Sequence, residues 1–378
     1  MKGPLRILVV VSLVAAACGG GTSGGTAGAS AAAAPSASAA AASAAAKKPT
    51  TAAEIALYKG TDRQRLLEDG AKAEGSLVYY TSNSTQEAIA AEFMKKYPFV
   101  KVQTLRAQDT DLRRRLSEEY QANNVQADIL EVLATGMAQF QLQGILLEYW
   151  TPELASYDES TMSKGKNGGV YYLGDREGYT VLGYNTKLVS AADAPKTYDD
   201  LLNPKWKGKM AVATSSLSVE WVGTMVEAKG ADFVNKLKAQ DIKAQNVSVA
   251  ALLNLVISGE VPLSPTIGIS NVELAKQSNA SVAWVALEPV HTTLGATGIL
   301  TKARHPNAAV LFMDFIHSQA GQEFGVTQGS ASPRNGVKTP YSTSFKKFYP
   351  GAKYGADKYE AKYNEWQDLF NKAFIAAK

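Results

Sequence analysis

Three short segments combine hydroxyl or amide side chains with the start of a predicted helix. The first runs from Thr81 to Ser84, the second from Thr214 to Ser216, and the third contains Thr135 and Gly136. The first backbone N–H groups of a helix lack partners within it, and the helix dipole makes that end partly positive. Such junctions suit an anionic or polar ligand. The candidate ligand-binding residues at these junctions are Thr81, Ser82, Asn83, Thr135, Thr214, Ser215 and Ser216.

The alternative role for these residues is to cap their own helices, which is common for Ser, Thr and Asn. Ser84 and Glu87 have the spacing of a capping box. We therefore interpret Ser84 as a cap. For Ser215 and Ser216 we favour ligand binding, and for Thr135 both roles stay open.

Two further side chains could complete a binding site. Arg176 stands just before a predicted strand and could clamp a carboxylate or phosphate with two parallel hydrogen bonds. A solvated charge paired with Asp175 or Glu177 is the alternative. Tyr179 could line an apolar wall of the site, with core packing as its alternative.

The segments that must position these residues alternate between strands and helices. Buried strands are predicted at 77–80, 100–105, 127–132, 179–184, 210–213, 281–287 and 298–302. Helices are predicted between most of them, for example at 85–97 and 110–122. This order predicts an α/β fold with a mainly parallel sheet and helices on both faces.

Composition and motifs argue against several classes of protein. The net charge is only +4, and the cluster Arg113 to Arg115 shares a predicted helix with Glu118 and Glu119, so nucleic-acid binding is not expected. The three histidines are isolated, and metal clusters, nucleophile elbows and phosphate-binding loops are absent from the sequence. We expect no enzyme activity, no cofactor and no resident metal; an exported hydrolase is the disfavoured alternative.

The first fifty residues predict export. Lys2 and Arg6 precede an apolar run at 7–17 that is shorter than the roughly 20 residues needed to span a bilayer, which indicates a signal peptide over 1–17. The small residues before Cys18 resemble the lipobox of bacterial lipoproteins, which implies lipidation of Cys18; the alternative is an ordinary signal peptide. Residues 18–50 are almost wholly Gly, Ala, Ser and Thr and predict a disordered tether.

Two longer stretches resemble the extracellular solute-binding proteins of iron(III)-type ABC importers. The first is YNTKLV at 184–189 followed by TYDDLLNPKWKGK at 197–209. The second is KARHPNAA at 302–309 followed by FIHSQAGQ at 315–322. The resemblance covers about 75–337. It implies a periplasmic-binding-protein type II clamp of two α/β lobes, each a mainly parallel sheet flanked by helices, with lobe 1 at 72–182 plus 287–330 and lobe 2 at 183–286 plus 331–378.

The resemblance also implies a function. The chain would be the extracytoplasmic, lipid-anchored component of an ABC importer that binds a small anionic or polar solute between its lobes and passes it to the permease. Ser215 and Ser216 match a junction that contacts a bound anion in ferric-binding members. Binding of a ferric complex in the same cleft, or ligand sensing with a membrane receptor, are the alternatives.

The ligands of bare ferric ion in this family have no counterparts here. Ser84 stands at the position of the family's histidine, Leu133 at that of its glutamate, and Ile269-Ser270 near its tyrosine pair. Direct binding of bare ferric ion is therefore not expected.

Overall fold

The computed structural model describes residues 48–83, 85–339, 341 and 345–375. The predicted signal peptide, Cys18 and nearly all of the tether lie outside these residues, as does Ser84. From Lys47 onward the chain forms one compact unit.

Twelve α-helices can be assigned in the described residues. Their bounds are α1 Ala52–Ala56, α2 Arg63–Glu74, α3 Thr85–Lys96, α4 Asp109–Gln121, α5 Ala134–Leu142, α6 Ser216–Lys229, α7 Ala231–Leu237, α8 Val249–Ser258, α9 Ile269–Gln277, α10 Pro306–His317, α11 Gln319–Thr327 and α12 Pro350–Phe370. Helix α12 bends at Gly355, whose φ of 65° is left-handed and favours glycine.

The strands of the described part are also twelve. They are β1 Ser76–Thr81, β2 Lys101–Arg106, β3 Ile129–Leu133, β4 Leu146–Leu147, β5 Met162–Lys164, β6 Val170–Asn185, β7 Ala211–Ala213, β8 Lys243–Gln245, β9 Leu263–Gly268, β10 Val282–Val285, β11 Val290–Leu300 and β12 Lys347–Phe348.

One large sheet of ten strands has the central order β10-β6-β11-β3-β1-β2. Strands β1, β2 and β3 pair in parallel, as expected for strands joined by helices. The long strands β6 and β11 then add in antiparallel orientation. Strands β7 and β8 form a separate parallel pair.

Alternation along β1 sends its side chains to both faces of the sheet. Tyr79 lies on one face, where its ring centroid is 5.0 Å from that of Phe312 in α10. Phe93 of α3 joins the same cluster, also 5.0 Å from Phe312. Tyr80 lies on the other face with Leu112 of α4 and other buried apolar side chains. Helices therefore cover both faces, and their packed aromatic side chains supply much of the burial that stabilises this part.

A second hydrophobic cluster is built from the middle and the end of the sequence. Trp221 of α6 and Trp366 of α12 are each 1% exposed and belong to it, together with Phe370. Strand β6 runs from the first cluster to this second one, since Leu173 belongs to the first and Leu182 to the second.

The predicted α/β class with a mainly parallel core and flanking helices is confirmed. The strand predicted at 179–184 is part of the longer strand β6. The strand predicted at 298–302 covers only the end of β11, which stops at Leu300. The lobe limits at 72–182 plus 287–330 and at 183–286 plus 331–378 stay predictions.

Candidate functional site

Four neighbouring strands, in the order β6-β11-β3-β1, bring the candidate residues of β1 and β6 together. Strand β11 lies between β3 and β6, and Gly295 of β11 pairs with Leu133 on one side and with Arg176 on the other. A Cβ atom at Gly295 would lie 2.6 Å from Arg176 Cζ. Because glycine leaves this space open, the Arg176 side chain can lie across β11 and reach β3.

Arg176 forms an ion pair with Glu131 of β3. Its Nη2 and Nε atoms donate to Glu131 Oε1 at 2.8 and 3.1 Å. The Glu131 side chain is 0% exposed, whereas 16% of the Arg176 side chain is exposed. Sequence reasoning considered Asp175 and Glu177 as partners and missed Glu131, which lies 45 residues away in the chain.

The same carboxylate organises the first predicted junction. Thr81 Oγ1 donates to Glu131 Oε2 at 2.7 Å, and the Ser82 backbone N–H donates to it at 2.8 Å. The Ser82 hydroxyl donates to Oε2 at 3.1 Å and lies 3.3 Å from Arg176 Nη2. Asn83 has a different role, since its Oδ1 accepts from the backbone N–H of Thr85 at the start of α3.

A second buried carboxyl group adjoins this pair. Asp175 is 3% exposed and accepts a hydrogen bond from Gln86 Nε2. Burial raises the pKa of Asp175 well above its usual range, and the nearby Glu131 carboxylate raises it further. Asp175 therefore favours the neutral form, and the direct partner of Arg176 is Glu131.

The second predicted junction forms the start of α6. The Ser215 hydroxyl accepts from the Ser218 backbone N–H at 3.4 Å and so acts as the N-cap. Thr214 Oγ1 donates towards Asn246 Oδ1 at 3.2 Å. Ser216 is exposed. No hydrogen bond between described residues links this junction with Glu131, Arg176 or Ser82.

Thr135 lies in the first turn of α5, against the C-terminal helix. A Cβ atom at Gly351 of α12 would lie 2.8 Å from Thr135 Cγ2. Thr135 also lines a cavity of about 20 Å³ together with Glu220 of α6 and Thr293 of β11. This space holds roughly one water molecule.

Tyr179 is 2% exposed and belongs to a cluster around Glu177. Its hydroxyl donates to Glu177 Oε2, which also accepts from Lys347 Nζ at 2.7 Å. The Tyr179 ring packs edge-on against Phe345, with 5.1 Å between centroids. Burial and the Glu177 carboxylate raise the pKa of the Tyr179 hydroxyl, which stays protonated. The structure thus places Tyr179 among packed side chains of the C-terminal segment.

The structure therefore brings Thr81, Ser82 and Arg176 together around Glu131. It places Thr135, Tyr179 and the group Thr214 to Ser216 in separate environments. Of the positions compared with the ferric ligands, Leu133 ends β3, and Ile269 is a buried residue at the start of α9. Within the described residues, no cluster of three or more His, Cys, Asp or Glu side chains could hold a metal ion.

None of the helices in the described part combines the length and hydropathy needed to cross a membrane.

Sequence comparison assigns most of this chain to one family. The model of the bacterial extracellular solute-binding protein family matches residues 88–348. An uncharacterized protein of Haemophilus influenzae is 27% identical over 278 residues, which are 69% of this chain and 78% of that protein.

Solved structures share the fold. Iron-bound HitA from Pseudomonas aeruginosa is 23% identical with a TM-score of 0.63, over 77% of this chain and 99% of that one. AfuA from Actinobacillus pleuropneumoniae, a periplasmic binding protein with bound fructose-6-phosphate, is 22% identical with a TM-score of 0.62, over 80% and 100%. A Trichodesmium protein (IdiA, FutA) with iron and citrate ligands is 18% identical with a TM-score of 0.64, over 79% and 99%. The fold is that of the type II periplasmic binding proteins, and the chain belongs to the bacterial extracellular solute-binding proteins.

Proposed function

We propose that this chain captures a small anionic or polar solute outside the cytoplasm and delivers it to the permease of an ABC importer. Membership of the solute-binding family supports a binding role rather than an enzymatic one. The observation that carries the proposal is the partly exposed Arg176 side chain, whose guanidinium Glu131 and Ser82 hold in place at the end of β1.

Arg176 keeps hydrogen-bonding capacity for a ligand. Its Nε and Nη2 atoms are used within the protein, while Nη1 donates to no residue that the structure describes. A held guanidinium loses little freedom when it binds an acceptor oxygen, and a hydrogen bond to a charged group contributes about 1.5–3 kcal/mol. Ser215, Ser216 and Thr214 would supply the opposite wall of the site in the predicted second lobe.

In this proposal the solute stabilises a closed arrangement of the two predicted lobes. A ligand shifts such an equilibrium only as far as it contacts the closed state better than the open one. Contacts from both β1 and the start of α6 would provide that difference. The same donors could hold the carboxylates of a ferric chelate, as the Trichodesmium structure contains iron together with citrate.

Calorimetric titration of the full chain tests the role of Arg176. Suitable probes are fructose 6-phosphate, citrate and ferric citrate, chosen from the ligands of the structural neighbours. We expect at least one to bind and Arg176→Gln to weaken that binding by about 10- to 100-fold, as expected for one lost charged hydrogen bond.

The matched control is Arg114→Gln. Arg114 belongs to α4, is 64% exposed and pairs with Glu118 at 3.0 Å, so its removal should leave binding unchanged. Arg176→Gln leaves the buried Glu131 without its charged partner, which can destabilise the fold. Arg176→Lys keeps a positive charge beside Glu131, so it separates the loss of the guanidinium from a loss of folding. Unchanged affinity in a folded Arg176→Gln protein would show that the solute binds elsewhere.

We further propose that a lipid on Cys18 anchors the chain to a membrane, with residues 18–50 as the tether. The short signal-like segment and the small residues before Cys18 support this proposal. Labelling of cells with a fatty-acid analogue should tag the wild-type protein and leave Cys18→Ala unlabelled. Equal labelling of both proteins would rule out this anchor.

A further inference from the structure

Glu131 accepts five hydrogen bonds from the solute site while having no exposed surface itself. Oε1 accepts hydrogen bonds from Arg176 Nε and Nη2. Oε2 accepts hydrogen bonds from Thr81 Oγ1, the Ser82 backbone N–H and Ser82 Oγ. An ionised carboxylate can only accept hydrogen bonds. Each group around Glu131 must therefore point a proton towards it.

This requirement fixes the direction of the two hydroxyl groups. A hydroxyl carries one proton and two acceptor lone pairs. The hydroxyl groups of Thr81 and Ser82 each donate their one proton to Glu131, at 2.7 and 3.1 Å. Ser82 Oγ also accepts a hydrogen bond from Arg176 Nη2 at 3.3 Å. The Ser82 hydroxyl therefore has one lone pair, and no proton, available for a ligand. Ser82 consequently presents an acceptor, although a serine at such a junction is expected to act as a donor.

Arg176 presents the opposite chemistry beside it. The guanidinium has five N–H groups, of which one is on Nε and two are on each terminal nitrogen. Nε and Nη2 donate hydrogen bonds to Glu131 and Ser82. The two N–H groups of Nη1 donate to no described residue and remain available for an acceptor on a ligand. The exposed surface therefore offers an acceptor at Ser82 next to donors at Arg176.

We propose that Glu131 is a specificity-determining residue of the solute site, and that the solute carries a hydroxyl group beside a carboxylate or other acceptor oxygen. The ligand hydroxyl donates to Ser82 Oγ, and the acceptor oxygen receives Arg176 Nη1. The proposal deepens the proposed function and rests on it. A solute that contains only acceptor oxygens cannot donate a hydrogen bond to Ser82 Oγ. Placing such an oxygen against the Ser82 lone pair is unfavourable.

Glu131 could also matter only for packing and stability, because it is buried and paired. The two roles differ in their effect on ligand choice. A structural role changes the affinity for all solutes alike, whereas a specificity role changes the ratio between a hydroxylated solute and its analogue without that hydroxyl.

The experiment is calorimetric titration of the full chain with two matched pairs of probes. Malate is compared with succinate, and 2-hydroxypropyl phosphate with propyl phosphate. In the wild-type protein at least one hydroxylated probe should bind about 10-fold more tightly than its partner, as one buried polar contact provides. In Ser82→Ala, which keeps the Glu131–Arg176 pair, and in Glu131→Gln, the ratio should fall below about 3-fold.

Glu148→Gln is the matched control for Glu131→Gln. Glu148 is another buried glutamate, 7% exposed, that accepts from the Asn167 and Gly169 backbone N–H groups away from this site. Its substitution should leave the ratio between the probes unchanged. Ser82→Ala also keeps the test decisive if Glu131→Gln fails to fold.

Two results would overturn the inference: equal binding within both pairs, or a ratio that persists in Ser82→Ala. If only fructose 6-phosphate or citrate binds, both of which carry hydroxyl groups, Ser82→Ala should weaken that binding about 10-fold. An unchanged affinity would overturn the inference while the proposed function stands. If no solute in either set binds, the proposed function fails as well.

Discussion

His317 at the end of α10 is a histidine enclosed by the protein. It has no exposed surface, its Nδ1 lies 2.9 Å from the Met313 carbonyl oxygen, and its Nε2 lies 3.1 Å from Thr297 Oγ1. A carbonyl oxygen only accepts, and Nε2 also lies 3.3 Å from the Leu173 carbonyl oxygen. The shorter contact of Nδ1 favours the proton on that nitrogen, and Nε2 then accepts from Thr297. Burial lowers the pKa of His317 from 6.5 to about 4. The folded protein therefore holds this imidazole neutral.

This depressed pKa predicts a loss of stability in mild acid. Between pH 6.5 and about 4 the unfolded chain binds a proton at His317 that the folded chain does not, so the free energy of unfolding decreases as the pH falls through this window. The full difference is on the order of 3 kcal/mol. Urea unfolding at pH 7, 5.5 and 4 measures it. In His317→Asn the decrease should be smaller; an equal decrease in both proteins would contradict the assignment.

The residue scale also shows what the sequence could not predict. Thr81, Ser82 and Arg176 were predicted as site residues from their positions near strand ends, and the structure does bring them together. Glu131 was missed because alternation along a strand identifies neither its partners nor their distance. The partnership depends on Gly295 of a third strand, whose missing side chain makes room for Arg176. Nothing in the sequence near Glu131 reports that space.

At the scale of elements, α6 and α12 pack closely because of a glycine. A Cβ atom at Gly223 of α6 would lie 2.7 Å from Cε3 of Trp366 in α12. Trp366 is 1% exposed and has Tyr354 and Tyr359 beside its ring, at centroid distances of 5.5 and 6.3 Å. The indole ring therefore has little room to move away from a larger residue.

Gly223→Ala should destabilise the protein by about 1–3 kcal/mol, the usual cost of overpacking a core. Gly325→Ala in α11 is the matched control, because its Cβ would lie at an ordinary 3.5 Å from Ile89 Cδ1. Alanine favours helix over glycine, so Gly325→Ala should be neutral or stabilising by up to about 1 kcal/mol. Thermal and urea unfolding measure both. Equal effects of the two substitutions would show that α12 does not pack on α6 as described.

Element prediction succeeded where the apolar pattern was short and regular. Strands β1, β2 and β3 and the helices between them lie close to their predicted positions. The long strands β6 and β11 were predicted only in part, because glycines such as Gly174, Gly178 and Gly295 are typical of turns. In the structure each lies where a neighbouring strand or side chain approaches closely, a role of strand glycine that a single sequence does not reveal.

At the scale of the whole molecule, β6 is the element shared by the two main hydrophobic clusters, since Leu173 belongs to the first and Leu182 to the second. The first cluster contains α2, α3 and α10, and the second contains α6, α7 and the end of α12. Arg176 lies within β6, close to the middle of this connection. A solute held there and at the start of α6 would contact both parts, which is the arrangement that capture and delivery require.

Native mass spectrometry of the full chain tests the central claim, that the protein is a solute-binding protein whose site contains Arg176. The purified protein is incubated with a mixture of fructose 6-phosphate, citrate, malate and 2-hydroxypropyl phosphate. The account predicts a complex of one solute per chain that is abundant for the wild-type protein and for Arg114→Gln and is strongly reduced for Arg176→Gln. A spectrum with unbound protein alone, or with an equally abundant complex in a folded Arg176→Gln protein, would contradict it.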